Sequence, residues 1–386
     1  MRVLIAFDKF KDALAADEAC TLAAGVLGEL HGNWQIECCP LTDGGEGFCA
    51  ILTRALGGQL EWHVVTGPRG EPVHAPLGWV RWRDVPPTAR ELLALPRPLA
   101  PDDNIALVEM ASASGLALLP PAQRDPWQTT SRGTGDLLQI ALSAGARALL
   151  VGVGGSATND LGLGALEPFG VRLVTRDGAN LGSTVPAHWH DTVRIVSRPG
   201  PHPVPIRIAC DVTNPLLGPH GCTAVYGPQK GLAPGEVAKM EAQAARIAQL
   251  LCEATATPAA AQSVPGAGAA GGIAFGLGAA LGARLLGGFA LVDAWLGLEE
   301  KLRAADLVIT GEGAFDATSL TGKGCGALAL RAATLGKRVH VFAGRVAVKE
   351  ASGLQMHAIT PASMPLAEAL PRASVFLSHA LKAAFA

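Results

Sequence analysis

The sequence has very little net charge. Its 386 residues contain 31 Lys and Arg against 33 Asp and Glu, a formal net charge of -2, and the basic residues are scattered along the chain. A nucleic-acid-binding protein needs a basic patch or stripe that can neutralise phosphates. This balance of charge therefore argues against a nucleic-acid partner and favours a small-molecule one.

The sequence also lacks the cysteine spacings of redox and zinc sites. Its eight cysteines form no CxxC pair and no cysteine and histidine spacing typical of zinc. The chain opens on a strand-like segment, RVLIAF, without the layout of a signal peptide. We therefore expect reduced thiols in a cytoplasmic protein.

A membrane-spanning segment is not expected either. The stretch between Glu253 and Arg284 carries no charge, but Pro265 and dense Gly and Ala interrupt it. A bilayer requires a continuous run of large apolar residues. The stretch instead favours a glycine-rich loop that leads into a closely packed helix of a soluble protein.

No established nucleotide-binding motif is complete. The P-loop pattern GxxxxGK[ST] finds Gly322 and Lys323, but Ala317 stands at the position of the first glycine and Gly324 follows the lysine. The sequence therefore does not support a P-loop.

Residues 152–157, GVGGSA, match only the weak GxGxxA form of the dinucleotide-binding fingerprint. The acidic residue expected about twenty positions later is replaced by Arg172 and Arg176, with Asp177 in an apparent turn. An NAD-dependent oxidoreductase of a small hydroxy acid therefore remains the alternative function, and a non-catalytic nucleotide-binding protein is a third.

Short β-branched segments alternate with longer helical patterns, which indicates α/β units with mostly parallel strands. The predicted strands cover residues 3–7, 36–39, 105–110, 149–153, 206–210, 307–310 and 339–343, with a weaker one near residue 357. Alternating apolar residues at 73, 75 and 77 predict an antiparallel hairpin, and the apolar spacing of residues 236–251 predicts an amphipathic helix.

The chain is too long for one ordinary domain, so two domains with a cleft between them are expected. We predict that residues 1–60 and 291–386 form a five-stranded, doubly wound α/β domain. Residues 61–290 then form a second α/β domain inserted into the first, with a hinge where the chain crosses twice. Residues 82–102 look like additional material without an evident role.

Acidic segments follow three predicted strands of the outer domain, namely DKFKDALAA, LTDGGEGF and ITGEGAFDATSLTGK. Open parallel sheets bind ligands at the carboxyl ends of their strands, and carboxylates with lysines between them suit a divalent metal and a polyphosphate. The candidate side chains are Asp8, Lys11, Asp43, Glu46, Glu312, Asp316 and Lys323. Taken singly, an aspartate such as Asp43 or Asp316 could equally cap a helix.

The segment VGVGGSATND, residues 151–160, combines an apolar strand, glycines and short polar side chains. We interpret it as a loop that binds phosphate and substrate, because glycines let the backbone approach an anion. Gly154 and Gly155 would supply backbone contacts, and Ser156 and Thr158 would supply hydroxyl donors. Asn159 and Asp160 would then face the cleft.

Together these segments resemble the bacterial glycerate kinase family. The matching segments run in order along nearly the whole chain: DKFKDALAA, PLTDGGEGF, EMASASGLALL, TTSRGTGDLLQIAL, GVGGSATND, CDVTNPLLGPHG, AVYGPQKG, PGAGAAGGIAFGLGA and DLVITGEGAFDATSLTGK. The family usually has serine in place of Lys9, glycine in place of Leu161, and alanine or proline in place of Gly324.

The resemblance implies an ATP-dependent kinase that phosphorylates D-glycerate in the cleft between two domains. It implies a flavodoxin-like outer domain and an inserted domain of restriction-endonuclease-like build. ATP and D-glycerate are then the small-molecule partners and Mg²⁺ the metal, and the protein is expected to be a monomer or a homodimer. The resemblance favours 2-phosphoglycerate as the product, while residue spacing leaves 3-phosphoglycerate open.

Phosphoryl transfer requires positioning, charge neutralisation and a proton acceptor, and these needs guide the role assigned to each residue. Lys11 and Lys323 would neutralise phosphate oxygens, and Asp160 and Asp211 are alternatives for the base that accepts the glycerate hydroxyl proton. The residues assigned to Mg²⁺ are Asp43, Glu46, Glu312 and Asp316. The residues assigned to substrate or phosphate are Asp8, Arg132, Asn214 and the loop residues Gly154, Gly155, Ser156, Thr158 and Asn159.

Overall fold

The computed structural model describes residues 1–197, 202–320, 324–348 and 350–386. The chain divides into two compact units, Met1–Asp43 with Val292–Ala386 (unit 1) and Gly44–Leu291 (unit 2). Residues 44–60 therefore lie in unit 2, whereas the sequence analysis assigned them to the outer domain. The reason is local packing: the backbone N–H of Cys49 donates to the buried Glu109 carboxylate at 3.1 Å, and its thiol donates to the Leu107 carbonyl.

The chain alternates strands and helices over both units. The strands are β1 (Arg2–Phe7), β2 (Gln35–Cys38), β3 (Gln59–Thr66), β4 (Pro72–Arg81), β5 (Asn104–Glu109), β6 (Ala148–Gly152), β7 (Arg172–Thr175), β8 (Thr192–Val196), β9 (Ile206–Ala209), β10 (Arg284–Leu286), β11 (Leu307–Phe315), β12 (Arg338–Val346) and β13 (Leu354–Ala358). The α-helices are α1 (Ala16–Leu30), α2 (Phe48–Ala55), α3 (Pro87–Leu93), α4 (Met110–Ser114), α5 (Arg132–Ser143), α6 (Leu163–Leu166), α7 (Cys222–Tyr226), α8 (Val237–Thr255), α9 (Ala269–Leu281), α10 (Gly288–Leu296), α11 (Leu298–Ala304), α12 (Gly324–Thr334), α13 (Leu366–Ala369) and α14 (Ala373–Phe385).

Unit 1 is built on a five-stranded sheet in the order β13-β12-β11-β1-β2, and every neighbouring pair is parallel. The central strand β1 is buried from its second residue onward, as expected for a parallel strand covered on both faces. Helices α1 and α14 pack against each other on this sheet, with Ala19, Ala23 and Leu27 of α1 buried at helical spacing. The predicted strands of this sheet are confirmed, although β11 and β12 run several residues further than expected.

Unit 2 contains a six-stranded mixed sheet in the order β10-β9-β6-β5-β4-β3. Strands β5, β6, β9 and β10 are parallel, whereas β3 and β4 form the predicted antiparallel hairpin. The amphipathic helix predicted near residues 236–251 is confirmed as α8, and the glycine-rich stretch leads into α9. None of the helices in the described ranges is long and apolar enough to cross a membrane.

The additional segment at residues 82–102 has a structural partner in unit 2. Its helix α3 ends beside Arg207, a buried arginine on β9. The Arg207 guanidinium donates to the carbonyl of Leu93 at 2.5 Å and to that of Ala94 at 2.6 Å. The side chain thus caps carbonyl groups that a helix leaves without intrahelical partners, and it ties the segment to the central sheet.

We expect Arg207→Ala to lower the free energy of unfolding by about 3 kcal/mol, because it removes two charged hydrogen bonds and leaves helix-end carbonyls unsatisfied. Urea denaturation measures the change. Arg284→Ala is the matched control, because Arg284 is an exposed neighbour of Arg207. Burial lowers the pKa of Arg207, and the positive charge of Arg284 lowers it further. Equal stability of the Arg207 variant and the control would contradict the capping role.

Candidate active site

The segment between β6 and α6 forms the glycine-rich loop of unit 2, defined here as residues 153–160 (the glycine loop). Gly154 packs so tightly on the 44–46 segment that a Cβ there would lie 2.7 Å from the Cα of Gly45. Gly155 adopts a φ of +73°, a conformation that favours glycine. Gly154 is half-exposed and Gly155 exposed, whereas the side chains from Ser156 to Asp160 are buried. Gly154 and Gly155, together with the 7% exposed Ser156 that follows them, are therefore the part of the loop that a ligand can approach.

Distant segments supply the backbone partners of the glycine loop. The N–H of Ala157 donates to the Ser114 carbonyl at 2.9 Å, and the Gly155 carbonyl accepts from Leu116 N–H at 2.8 Å. The Thr129 hydroxyl donates to the carbonyl of Ala157 at 3.1 Å. These partners come from EMASASGLALL and TTSRGTGD, so the segments that carry the family resemblance assemble around one loop.

Asp160 is fully buried, and its carboxylate accepts four hydrogen bonds. Ser131 donates through its N–H and its hydroxyl, each at 2.7 Å, and the N–H groups of Gly162 and Gly164 donate at 3.1 and 3.2 Å. Burial raises the pKa of Asp160, and these hydrogen bonds lower it in part. Asp160 was expected to face the cleft, but its carboxylate is enclosed by groups of its own unit that hold the loop in place.

Asn159 and Thr158 are also fully buried, and the Asn159 amide oxygen and the Thr158 hydroxyl have no hydrogen-bond partner within the described ranges. The expected roles, Asn159 facing the cleft and Thr158 supplying a hydroxyl donor, stay sequence-based predictions. The Asn159 amide donates to the Thr223 hydroxyl at 3.0 Å and lies 3.2 Å from the Met240 sulfur. Leu161, which follows, has a φ of +56°. L-residues rarely adopt this left-handed conformation, which is the physical reason for the glycine that the resemblance places at this position.

Asp211 follows β9, the neighbour of β6 in the parallel part of the sheet, so its strand end lies at the same edge as the glycine loop. The carboxylate is half-buried, and one oxygen accepts from the Phe289 N–H at 2.8 Å. Asn214, three residues later, donates to the His220 carbonyl and accepts from the Tyr226 hydroxyl, both at 2.8 Å. Asn214 thus braces the segment after β9.

Arg132, expected near the glycerate carboxylate, is held by two carboxylates of its own unit. Its Nε is 2.8 Å from Asp136, and it also forms an ion pair with Glu167. These interactions raise the pKa of Arg132 against the opposing effect of burial. Its contact with substrate therefore remains a sequence-based prediction.

Lys230 is a site residue that sequence reasoning missed. It lies in the segment GPQKG, is fully buried, and donates from Nζ to the Ser156 hydroxyl at 2.9 Å and to the Thr158 carbonyl at 2.6 Å. The only sequence signal was that this segment matches the family, because a lone lysine is more often a solvated surface charge.

The candidate carboxylates of unit 1 gather at the carboxyl edge of its sheet. Asp8 follows β1, Asp43 follows β2, and Glu312 lies in β11, on the other side of β1. Burial raises the pKa of Asp8 to about 7; Asp43 and Glu312 add to this rise, whereas Lys9 opposes it. The Lys9 ammonium lies 3.5 Å from Asp43. Asp43 and Glu312 therefore both repel the Asp8 carboxylate electrostatically.

The remaining candidates of unit 1 differ in their surroundings. The buried Cys325 thiol donates to the Glu312 carboxylate at 3.1 Å. The Asp316 carboxylate accepts from the N–H and the hydroxyl of Thr318 at 2.7 and 2.6 Å, so Asp316 stabilises a local turn. Lys11 is exposed, and Lys323 lies outside the described residues.

Glu46 belongs to unit 2, where a Cβ on Gly155 would lie 2.7 Å from its carboxylate. Over residues 1–197, 202–320, 324–348 and 350–386, no group of three or more His, Cys, Asp or Glu side chains could hold a metal ion by itself.

Known proteins resemble this chain over almost its whole length. The sequence profile of the Glycerate kinase family matches residues 3–386. A glycerate 2-kinase from Escherichia coli strain K12 is 37% identical to this chain, and the match covers 84% of this chain and 80% of that protein. A glycerate kinase from Bacillus subtilis strain 168 is 34% identical, and the match covers 98% of this chain and 95% of that protein. A crystal structure of a candidate glycerate kinase 2 from Salmonella typhimurium LT2 aligns with a TM-score of 0.73 at 34% identity, covering 100% of this chain and 97% of the other.

We expect Asp160→Asn to destabilise the protein by about 3 kcal/mol, because the amide group cannot accept from all four donors that face the carboxylate. Urea denaturation measures the change. Asp211→Asn is the comparison, since an asparagine oxygen can still accept from the Phe289 N–H. If Asp160→Asn kept full stability but lost turnover, Asp160 would act on the substrate and not as a brace.

We expect Asp8→Asn to stabilise the protein at pH 8 by roughly 1–3 kcal/mol and to leave it unchanged near pH 4. The pKa of Asp8 is raised from 3.8 to about 7, so the folded protein binds the additional proton between these values and loses stability as the pH rises. Urea denaturation at both pH values checks this. Asp12→Asn is the control, because Asp12 is exposed and its φ of 60° suits asparagine. A destabilised Asp8 variant at pH 8 would contradict the electrostatic origin.

Proposed function

The chain belongs to the glycerate kinase family, and we propose that it transfers a phosphoryl group from ATP to D-glycerate. The observation that carries the proposal is the glycine loop, whose exposed start lies at the same sheet edge as Asp211. This edge combines backbone donors for an anion with a carboxylate that can accept a proton, and phosphoryl transfer to a hydroxyl needs both.

The start of the glycine loop would bind an anionic group of the substrates. Gly155 has a positive φ, and such turns can point neighbouring backbone N–H groups toward an anion. The Gly154 N–H already donates to the Gly44 carbonyl at 2.9 Å, so the candidate donors are the N–H groups of Gly155 and Ser156. The buried part of the loop is held by hydrogen bonds that Ser131 and Lys230 donate and by one that the Ser114 carbonyl accepts from the Ala157 N–H. The donors are therefore oriented before the ligand arrives, which is the condition for strong electrostatic stabilisation.

We propose Asp211 as the base. Its carboxylate is half-buried and accepts from the Phe289 N–H, whereas the Asp160 carboxylate is fully buried and enclosed by four hydrogen bonds. A general base must come within hydrogen-bond reach of the proton that it accepts, so an accessible carboxylate is required.

The carboxylates of unit 1 fit a divalent cation. Mg²⁺ is commonly held by one or two carboxylates together with substrate phosphates and water, so a preformed cage of three protein ligands is not needed. Burial raises the pKa of Asp8, and repulsion from Asp43 and Glu312 raises it further; a bound cation would offset both effects. We assign Asp8, Asp43 and Glu312 to this role, with Lys11 and Lys323 as candidates for the phosphates. When bound, Mg²⁺ would neutralise charge on the transferred phosphoryl group.

Two finer features stay within the proposal. Similarity to a protein named glycerate 2-kinase supports 2-phosphoglycerate as the product. The strand order of unit 1, numbered within that unit, is 2-1-3-4-5, and this supports a flavodoxin-like description. The oxidoreductase alternative is not favoured, because a Cβ on Gly152 would lie 2.6 Å from the Phe48 ring, so this glycine is explained by packing.

The assay that tests the proposal supplies ATP, Mg²⁺ and D-glycerate, measures ADP release, and identifies the product by phosphorus NMR. We expect 2-phosphoglycerate, and we expect Asp211→Asn to lower kcat by about 10² to 10⁴ with an intact fold. Asp102→Asn is the control, since Asp102 is exposed and pairs with the exposed Arg83.

Each result of this assay bears on a different part of the proposal. Absence of ADP release would overturn the function, and a 3-phosphoglycerate signal would overturn the regiochemistry. A normal rate for Asp211→Asn would place the base elsewhere.

A further inference from the structure

Lys230 occupies an unusual environment for a lysine. Only 2% of its surface is exposed, and its two hydrogen-bond acceptors, the Ser156 hydroxyl and the Thr158 carbonyl, are neutral. Taking an ammonium group out of water costs several kcal/mol, and neutral acceptors offset this cost only in part. Stability alone therefore does not explain a lysine at this position.

The contact with Ser156 determines what the serine hydroxyl can do. An ammonium group has only donors, so the Ser156 oxygen must accept from Lys230. The serine O–H is then available to donate to a different group. Ser156 is 7% exposed and adjoins the exposed Gly155, so that group can be a ligand bound at the start of the glycine loop.

We propose that Lys230 is a positioning residue that fixes the Ser156 hydroxyl as a hydrogen-bond donor toward the anionic substrate at the glycine loop. This inference rests on the proposed function of that loop. The second contact, to the Thr158 carbonyl, holds the backbone on the other side of Ala157, so that one ammonium group sets both the direction of the hydroxyl and the path of the chain.

The charge on Lys230 makes this arrangement sensitive to pH. Burial lowers the pKa of Lys230 to about 8, against the opposing effects of Cys222 of α7 when it is ionised and of Asp160 of the glycine loop. Burial raises the pKa of the Cys222 thiol to about 11, with Lys230 lowering it and Glu241 of α8 raising it, so Cys222 stays neutral near pH 8. Once it is neutral, the Lys230 amine can accept a hydrogen bond, and the Ser156 hydroxyl can turn toward it and away from the substrate.

Activity and stability should therefore respond to pH in opposite directions. The pKa of Lys230 is lower in the folded protein than its ordinary value of 10.5, so between about 8 and 10.5 the unfolded chain binds more protons. The contribution of Lys230 to stability thus rises with pH in this window, while the substrate-binding form of Ser156 is lost. A purely structural lysine would not produce this divergence.

The test uses Lys230→Met, Ser156→Ala and the double variant in the full chain. We expect Lys230→Met to lower kcat/KM for D-glycerate about 10- to 100-fold at pH 7 without loss of stability, and to abolish the decline in kcat/KM of the unmodified protein above pH 8. If Lys230 acts through Ser156, the double variant should be no less active than the weaker single variant. Lys239→Met is the matched control, because the Lys239 ammonium lies over the Trp127 ring, 5.2 Å from its centroid, and not at the loop.

A second measurement is independent of turnover and of how the variants fold. In the unmodified protein, the backbone amide NMR signals of Gly155 and Ser156 should shift with a midpoint near pH 8. Unchanged signals between pH 7 and 9, or a Lys230→Met variant with the kcat/KM and pH profile of the unmodified protein, would overturn the inference. Absence of glycerate phosphorylation by the unmodified protein would overturn the proposed function instead, and the NMR titration would still decide the role of Lys230.

Discussion

The structure of unit 2 depends on satisfying the buried polar groups of the glycine loop. A buried amide, hydroxyl or carboxylate without a partner costs about 1–3 kcal/mol, and this loop buries several within a few residues. Ser114, Ser131 and Lys230 approach from separate parts of the chain and satisfy several of them, whereas the Thr158 hydroxyl and the Asn159 amide oxygen have no partner within the described ranges. The family segments thus form one hydrogen-bonded network whose exposed end is the glycine pair.

Unit 1 shows the opposite arrangement. Asp8 is buried beside other carboxylates, and its pKa is raised to about 7. Burial and the negative charges of Asp43 and Glu312 make ionised Asp8 unfavourable at neutral pH and lower stability there. A site that binds a cation has a physical reason to retain such closely spaced carboxylates. The Lys9 ammonium, 3.5 Å from Asp43, compensates part of the negative charge. Hydrogen bonds hold the glycine loop in place, whereas the carboxylates of unit 1 stand in an unfavourable electrostatic environment that a bound cation would offset.

Much of the architecture could be predicted from the sequence. Apolar runs such as β1 and β6 are buried parallel strands, and alternation around Ala75 produces the antiparallel hairpin, because side-chain periodicity is a local property of the chain. The helix α8 follows from apolar spacing for the same reason. The sequence also placed the candidate residues Asp8, Asp43 and Asp211 after strands, and they lie at sheet edges because parallel strands end on the same side.

The tertiary structure alone decided which polar residues are buried. Asn159 and Asp160 follow the exposed glycines by only a few positions, yet both are enclosed by partners distant in sequence. Lys230 looks like a surface lysine in the sequence, and residues 44–60 look like an extension of the first unit. Burial and hydrogen bonding depend on groups brought together by long-range packing, whereas periodicity and turn chemistry depend on neighbours along the chain. The sequence by itself therefore determined the elements and the family, and the packing determined the role of each polar side chain.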